Sequence, residues 1–127
     1  MGYYTDYSLT VKNIKDQEEF DSLVNTLKEH EIIEYALDNG WFNSHVAEFS
    51  TYDAVKWYDS EKDMMEISKL YPGMYFMLEG SGEEFGDLWR EYFKNGITEH
   101  CNGNIVFEKP QIIPWEDINC DELNIAP

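Results

Sequence analysis

The chain has 127 residues, of which 26 are acidic and nine are Lys or Arg, so its formal charge is −17. This length fits one domain, and an aromatic content of 16% supplies enough apolar surface for a core. The charge argues against direct nucleic-acid binding, because phosphates need Lys and Arg to replace their counterions, and against anionic membranes. We expect a basic protein surface or a metal ion as partner; the alternative is that the charge only keeps the protein soluble.

Targeting signals and cysteines indicate where the protein acts. The N-terminal residues Met1–Tyr7 lack the basic and apolar segments of a signal peptide, and no apolar run reaches the length of a membrane span. Two cysteines, Cys101 and Cys120, are too few for a disulfide framework. We therefore expect a cytoplasmic protein with thiols, located in the host cytoplasm if it is phage-encoded.

A strand and a helix are predicted first. The segment Tyr3–Lys12 alternates apolar and polar residues with period two, which indicates a half-buried strand. Asp16 and Glu19 then have capping-box spacing, and an apolar stripe with helical spacing follows them. This pattern predicts a helix that ends near His30.

The next segment has weaker signals. The run Ile32–Leu37 is predicted as a second strand, and the turn residues Asp38-Asn39-Gly40 end it. The stretch Trp41–Thr51 is compatible with a strand or with a loop held by its aromatic residues. A short strand is predicted at Ala54–Tyr58.

A second helix and a central strand follow. Ser60 and Asp63 are spaced as a helix cap, the helix is expected to run to about Leu70, and Pro72-Gly73 stops it. Its buried face is predicted to consist of Met64, Met65, Ile67 and Tyr71. The nearly continuous apolar run Met74–Leu78 predicts a strand buried on both faces.

The last third reads as a hairpin extension. Gly80-Ser81-Gly82 is predicted as a turn, and Phe85–Lys94 as a strand. Asn95-Gly96 is the strongest hairpin signal, because both residues tolerate the positive φ of a type I′ turn. The returning strand is expected at Ile97–Cys101, with a further short one at Ile105–Glu108.

We predict one α+β domain over residues 1–109, followed by an extended acidic tail over residues 110–127. The element order favours a ferredoxin-like antiparallel sheet with two helices on one face and a C-terminal hairpin extension. Three apolar residues of the tail are expected to dock on the domain: Ile112, Ile113 and Trp115.

Residues 56–96 carry a family resemblance. The matching motifs are Lys56-Trp57-Tyr58-Asp59, Asp63-Met64, Tyr71-Pro72, Glu79-Gly80-Ser81-Gly82-Glu83-Glu84, Gly86-Asp87-Leu88-Trp89 and Tyr92-Phe93-Lys94-Asn95-Gly96. Together they resemble a small domain of bacterial and phage proteins with ferredoxin-like character, over about a third of the chain. The resemblance implies a fold and no chemistry. In general type, short and acidic, the chain is also similar to phage-encoded counter-defence proteins.

Self-contained catalytic chemistry is not expected. His100-Cys101 with the distant Cys120 lacks the paired spacing of a zinc site, and neighbours on a strand point to opposite faces, which separates His100 from the Cys101 thiol. Pairs of carboxylates are expected by chance among so many acids. Gly80-Ser81-Gly82 has no Lys or Arg beside it to complete a phosphate site. We predict no cofactor and no metal.

Acidic residues interleaved with aromatic ones are the feature with functional content. They concentrate on the hairpin, on the second helix and at the start of the first helix, where Asp16, Glu18, Glu19 and Asp21 lie. The predicted protein-binding residues come from the hairpin and the second helix: Glu79, Glu83, Glu84, Asp87, Trp89, Glu91, Asp59, Glu61 and Asp63. Carboxylates that lie close together on one surface can imitate the closely spaced phosphates of a duplex. Aromatic side chains among them can anchor a protein interface.

These features predict a non-enzymatic inhibitor that binds a basic, nucleic-acid-binding surface of a defence protein, as an anti-CRISPR or anti-restriction DNA mimic does. Two alternatives stay open. One is an immunity protein or antitoxin that neutralises a basic toxin, and the other is a small enzyme using carboxylates in a cleft.

Overall fold

The computed structural model describes residues 4–33, 36–51, 54–82, 87–103 and 109–118. The elements in chain order are β1 (Thr5–Lys12), α1 (Gln17–Glu29), β2 (Trp41–Asn43), β3 (Val46–Ser50), α2 (Ser60–Leu70), β4 (Tyr75–Gly82), β5 (Leu88–Lys94), β6 (Ile97–Asn102) and a 3₁₀ turn (Trp115–Asp117). The strands form one sheet in the order β2-β3-β1-β4-β5-β6, and every pair is antiparallel. The α+β class predicted from the sequence is confirmed.

Both helices contribute to one buried cluster on one face of the sheet. Alternate residues of each strand point to the same face, and Leu9 of β1 lies beside Phe49 of β3 and Leu78 of β4 in the register. These side chains share a cluster with Leu23 of α1 and Ile67 of α2, all of them buried. Each such apolar side chain stabilises the fold by roughly 1.5–3 kcal/mol, so this layer is the main core.

The opposite face carries a second, smaller cluster that the C-terminal segment covers. Ile113 and Trp115 pack there against Tyr92 and Cys101. Docking of these two tail residues is therefore confirmed, whereas Ile112 is 67% exposed and its predicted docking is wrong.

The carboxylate of Glu99 holds the C-terminal segment in place. It accepts hydrogen bonds from the backbone N–H groups of Gln111, Ile112 and Ile113, with distances of 2.9 Å to Ile112 and 3.3 Å to Ile113. On the same face Lys12 lies over the ring of Trp115, 4.3 Å from its centroid. Charged side chains thus position the apolar residues that fill the second cluster.

Local signals place α1 and the β5–β6 hairpin where the sequence predicts them. The Asp16 carboxylate accepts the backbone N–H of Glu19 at 2.9 Å, and the helix extends to Glu29. Asn95 and Gly96 have φ values of 49° and 83°, as a type I′ turn requires. Both predictions are confirmed.

Two predicted strands are wrong. At Ile32–Leu37 the described residues form a turn, in which the Ile32 carbonyl accepts the N–H groups of Ala36 (2.9 Å) and Leu37 (3.0 Å). Their side chains are buried in the core. The short apolar run therefore indicated burial, which a turn satisfies as well as a strand does. The predicted strand at Ala54–Tyr58 is reduced to a single bridge between Val55 and Thr5.

Three further expectations are corrected or resolved. Gly80-Ser81-Gly82 is not a turn; it continues β4, and Gly80 lies under the ring of Trp89. The stretch Trp41–Thr51 contains the β2–β3 hairpin. The predicted Ser60–Asp63 cap is wrong, because Asp59 is the N-cap and makes no side-chain capping bond. The helix does stop before Pro72-Gly73.

The central strand has unequal faces. In β4, Phe76 and Leu78 are fully buried towards the helices, while Tyr75 and Met77 are partly covered by the C-terminal segment. The predicted strand at Ile105–Glu108 and residue Cys120 lie outside the described residues. Within the described part of the chain, no helix is both long and apolar enough to cross a membrane.

Candidate functional site

The start of α2 is held in place by a buried tryptophan. Trp57, 5% exposed, donates from its indole Nε1 to the carboxylate of Asp63 at 2.7 Å. The hydroxyl of Tyr7 donates to the backbone carbonyl of Trp57 at 3.2 Å, and the two rings meet edge to face at 5.1 Å. The first turn of α2, and the side chain of Asp63, are therefore fixed relative to the sheet.

A cleft of about 290 Å³ opens at this end of the helix layer. Three parts of the chain line it: the end of α1, the segment that precedes α2 and the first turn of α2. The lining residues are His30, Glu31, Lys56, Trp57, Tyr58, Asp59 and Asp63. Tyr58 is 72% exposed, the most exposed large apolar side chain among the described residues. An aromatic ring thus stands at the rim of an acidic concave surface.

The cleft has negative character. Glu31, Asp59 and Asp63 contribute carboxylates, and none of the three forms an ion pair with a Lys or Arg of the described residues. The ammonium of Lys56, which also lines the cleft, lies 4.8 Å from the centroid of the Tyr4 ring. Carboxylates that have no Lys or Arg partner, beside an exposed ring, suit a cationic side chain of a partner, which binds both carboxylates and aromatic faces.

A second acidic group lies where α2 meets the β5–β6 hairpin. Glu91 of β5 points to the helix side of the sheet, and its side chain is 11% exposed. His100, opposite it on β6, places Nδ1 3.4 Å from the Glu91 carboxylate. Burial raises the pKa of Glu91, the contact with His100 offsets part of that rise, and the nearby Glu61 of α2 raises it further.

The nine predicted binding residues separate into groups. Asp59, Glu61 and Asp63 lie together at the start of α2, and the charge of Glu61 raises the pKa of Glu91 on β5. Glu79 lies on the opposite sheet face from Glu91, because its position in the register differs by one residue. The carboxylate of Glu79 is paired there with the Arg90 guanidinium at 3.0 Å.

The hairpin part of the predicted surface is less exposed than the helix part. Trp89 is half-buried, since its ring lies over Gly80, 5.8 Å from the ring of Tyr7. Asp87 is also half-buried, and its backbone carbonyl accepts the N–H of Gly82 at 2.8 Å. Glu83 and Glu84 lie outside the described residues.

The expectation for His100 and Cys101 is confirmed in its geometry. His100 is exposed on the helix side of β6, and Cys101 is buried on the other face with Tyr92. Among the described residues, no group of three or more His, Cys, Asp or Glu side chains is placed to hold a metal ion.

Sequence reasoning missed the cleft and the aromatic residue at its rim. Glu31 and Tyr58 are far apart in sequence, and nothing local brings them together. For Glu91 a signal was present: it stands between Trp89 and Phe93 on the apolar face of an alternating strand. An acid at such a position predicts a buried carboxylate.

Comparison with known proteins found no relatives: no family model, no curated protein and no solved structure matches the chain.

Proposed function

We propose that this protein is a non-enzymatic acidic inhibitor that binds a basic, nucleic-acid-binding surface of another protein. The observation that supports it is the cleft at the start of α2, which Glu31, Asp59 and Asp63 line together with the exposed Tyr58. In its concrete form the protein is a phage-encoded DNA mimic that acts in the host cytoplasm against a CRISPR or restriction enzyme.

Carboxylates replace phosphates in this mechanism. Lys and Arg residues that neutralise DNA phosphates would face the carboxylates of Asp59, Glu61 and Asp63 instead, and the cost of desolvating them is limited because these acids are exposed or half-exposed. Tyr58 supplies an anchor that is rigid apart from two torsions. A charge of −17 steers the encounter with a basic surface and makes it fast and salt-sensitive.

We also propose that β1 to β4, with α1 and α2, form a ferredoxin-like unit. The helices follow β1 and β3, and these four strands have the order β2-β3-β1-β4, both of which support this arrangement. β5 and β6 then extend the sheet beyond β4 and provide the surface against which α2 rests. The position of the acidic cleft at one end of the helix layer follows from this connectivity.

The same cleft also supports a second function, neutralisation of a basic toxin by an immunity protein or antitoxin. The two functions differ in the partner: one is a nucleic-acid-binding defence enzyme, the other a toxin encoded beside this protein. Identifying the partner therefore separates them.

The test is affinity capture on the purified, tagged protein from lysate at low salt, followed by elution with rising salt and identification of what elutes. We expect a basic protein with nucleic-acid-binding activity, whose release follows ionic strength because exposed charge contacts are screened beyond roughly 10 Å at 0.1 M salt. Recovery of a toxin supports the second function. Recovery of no basic protein contradicts both.

Charge-reversed variants locate the contact. Asp59→Lys with Glu61→Lys changes the start of α2, and the matched control, Glu18→Lys with Asp21→Lys, changes the exposed first turns of α1. Each reversal adds +2, so either pair changes the net charge of the protein from −17 to −13. Long-range electrostatic steering therefore weakens equally in the two variants. We expect at least a tenfold greater loss of affinity for the α2 pair, and equal losses would exclude the start of α2 as the contact surface.

A third variant tests the hairpin. Reversing the charges of Glu83, Glu84 and Asp87 should lower the salt dependence of binding if this segment belongs to the surface. An unchanged affinity and salt slope would restrict the contact to the start of α2.

A further inference from the structure

The C-terminal segment, residues 109–118, lies on the face of the sheet opposite the helices. Ile113 and Trp115 are only 2% and 7% exposed, whereas Ile112 and Pro114, their neighbours in the chain, are exposed. Within the segment the N–H of Trp115 donates to the carbonyl of Ile113 at 2.8 Å. One side of the segment thus contacts the domain and the other faces solvent, as in a peptide bound on a protein surface.

The surface beneath the segment comes from three adjacent strands. Tyr92 of β5 and Cys101 of β6 are buried in one cluster with the segment, and Tyr75 and Met77 of β4 are partly buried against it. Trp115 meets the ring of Tyr92 edge to face, with the centroids 5.7 Å apart. This cluster is separate from the core between the sheet and the helices. Its contacts can therefore be lost while the main core stays packed.

Charged side chains bind the main chain of the segment near both of its ends. The carboxylate of Glu99 on β6 accepts the N–H groups of residues 111–113, two of them at 2.9 and 3.3 Å. Lys12 of β1 donates to the carbonyl of Ile118 at 3.3 Å and lies over the ring of Trp115. In peptide recognition, main-chain hydrogen bonds give affinity and pockets for alternate side chains give specificity. Both kinds of contact are present here.

We propose that this face of the sheet is a peptide-binding groove and that residues 109–118 are its built-in occupant. The external ligand is an extended segment of a partner protein with the chemistry of that occupant. It has an aliphatic side chain in the place of Ile113, a tryptophan in the place of Trp115, and main-chain N–H groups for Glu99. The groove lies on the other face of the sheet from α2, so this function goes beyond binding at the acidic cleft.

Net charge favours a partner over a second copy of this chain. A second copy carries the same C-terminal segment, but each copy has a formal charge of −17, and two such copies repel each other. A basic partner is attracted instead, and its segment meets a groove whose complementarity to an aliphatic residue and a tryptophan is already established by residues 109–118.

Tethering determines when an external segment can bind. A segment that is joined to the domain has an effective concentration in the millimolar range, so a free peptide of the same sequence competes poorly with it. Removal of the two buried side chains weakens the tethered occupant and leaves the groove open. A partner that is already bound elsewhere on the protein gains the same advantage of proximity.

The test is fluorescence anisotropy with a labelled synthetic peptide of residues 109–118 and the full chain. The vacated variant carries Ile113→Ala with Trp115→Ala, and the matched control carries Ile112→Ala with Glu116→Ala, two exposed positions of the same segment. We expect the vacated variant to bind the peptide at least about tenfold more tightly than the control or the wild type, in which the tethered segment competes. A peptide with alanine at both buried positions should bind the vacated variant at least about tenfold more weakly.

Three results would overturn the proposal. The first is no binding of the peptide to a folded vacated variant, and the second is equal binding to the vacated variant, the control and the wild type. The third is a dimer of the wild type, detected by light scattering, that the vacated variant does not form, because it would assign the groove to a second copy. None of these results affects the capture of a basic partner at the acidic cleft.

A thiol measurement provides the test if the vacated variant does not fold. In a Cys120→Ser background, alkylation by iodoacetamide reports on Cys101, which is 4% exposed. Glu99→Gln keeps every apolar side chain and removes the charged acceptor. We expect it to speed the alkylation of Cys101 with a urea midpoint close to that of the parent, as local opening requires, and an excess of the 109–118 peptide should slow the reaction.

The matched control for Glu99→Gln is Glu48→Gln, which changes an exposed glutamate of β3. Its rate of alkylation should equal that of the parent. A rate that follows only the global stability of each variant, or that the peptide does not slow, would show that the segment is an integral part of the fold and would overturn the proposal.

Discussion

Gly80 is a residue at which a single added methyl group should have a large consequence, because a rigid ring lies against it. A Cβ added to Gly80 would lie 2.1 Å from one atom of the Trp89 ring and 2.3 Å from a second, well inside contact distance. The neighbour is a rigid indole and not the end of a flexible chain, so the ring must move as a whole. Gly80→Ala should therefore be destabilising although alanine suits a strand at least as well as glycine.

The magnitude follows from the contacts that Trp89 makes. Inserting volume into a packed region costs about 1–3 kcal/mol. Displacing the indole also weakens its contacts with Tyr7 (5.8 Å) and His100 (6.0 Å), and an aromatic contact is worth about 0.5–1.5 kcal/mol. We expect a loss of roughly 2–4 kcal/mol in the free energy of unfolding.

The assay is urea unfolding monitored by circular dichroism, with Gly73→Ala as the matched control. A Cβ at Gly73 would meet no atom within 4 Å, so this variant should lie within about 0.5 kcal/mol of the wild type, or be more stable by up to about 1 kcal/mol. Trp89→Leu should rescue Gly80→Ala, because the smaller side chain leaves space for the methyl group. Equal stabilities of Gly80→Ala and Gly73→Ala would refute the packing of Trp89 on Gly80.

Two further predictions concern single polar contacts. Asp63→Ala leaves the buried Trp57 indole N–H without its acceptor, so urea unfolding should show a loss of about 1–3 kcal/mol in the free energy of unfolding. The control Glu66→Ala, on the exposed side of α2, should change that free energy by less than about 0.5 kcal/mol. Similar values for both variants would contradict the role of Asp63. For Glu99, burial opposes ionisation, but the backbone N–H groups of the C-terminal segment outweigh it and lower its pKa. A lowered folded-state pKa gives stability that is present above the unfolded value and lost as pH falls through the folded value, so hydrogen exchange corrected for its intrinsic rate should show residues 111–113 protected at pH 7 and released in acid, once the Glu99 carboxylate is protonated. Glu99→Gln should release them at both pH values, and protection that survives acid and this substitution would contradict the anchor.

Strong local signals account for the elements that were predicted correctly. The Asp16–Glu19 cap and the Asn95-Gly96 turn act through neighbouring residues, so the sequence contains all the information they need. The strand predicted at Ile32–Leu37 was wrong because a short apolar run indicates burial alone. Apolar side chains enter the core from a turn as well as from a strand. Gly80 appeared to break the chain because glycine is common in turns, whereas the reason for it is the ring of Trp89, nine residues away.

The candidate site depends on long-range contacts for the same reason. Asp59, Glu61 and Asp63 were predicted because acids recur on one helix, but Glu31 joins them only through the packing of α1 beside α2. Glu79 and Glu91 appeared equivalent in the sequence, and the register separates them onto opposite faces, one paired with Arg90 and the other buried beside His100. Alternation along the strands predicts that these two side chains lie on opposite faces of the sheet. The site prediction counted acidic residues without using that alternation.

The central claim is that the acidic cleft occupies a surface at which a partner binds nucleic acid. Its most direct test is a competition measurement, in which the captured partner is first bound to labelled DNA or RNA and the purified protein is then titrated at several salt concentrations. We predict competitive displacement of the nucleic acid, weakened by Asp59→Lys with Glu61→Lys and much less by Glu18→Lys with Asp21→Lys. A stable ternary complex of partner, nucleic acid and this protein would contradict the claim.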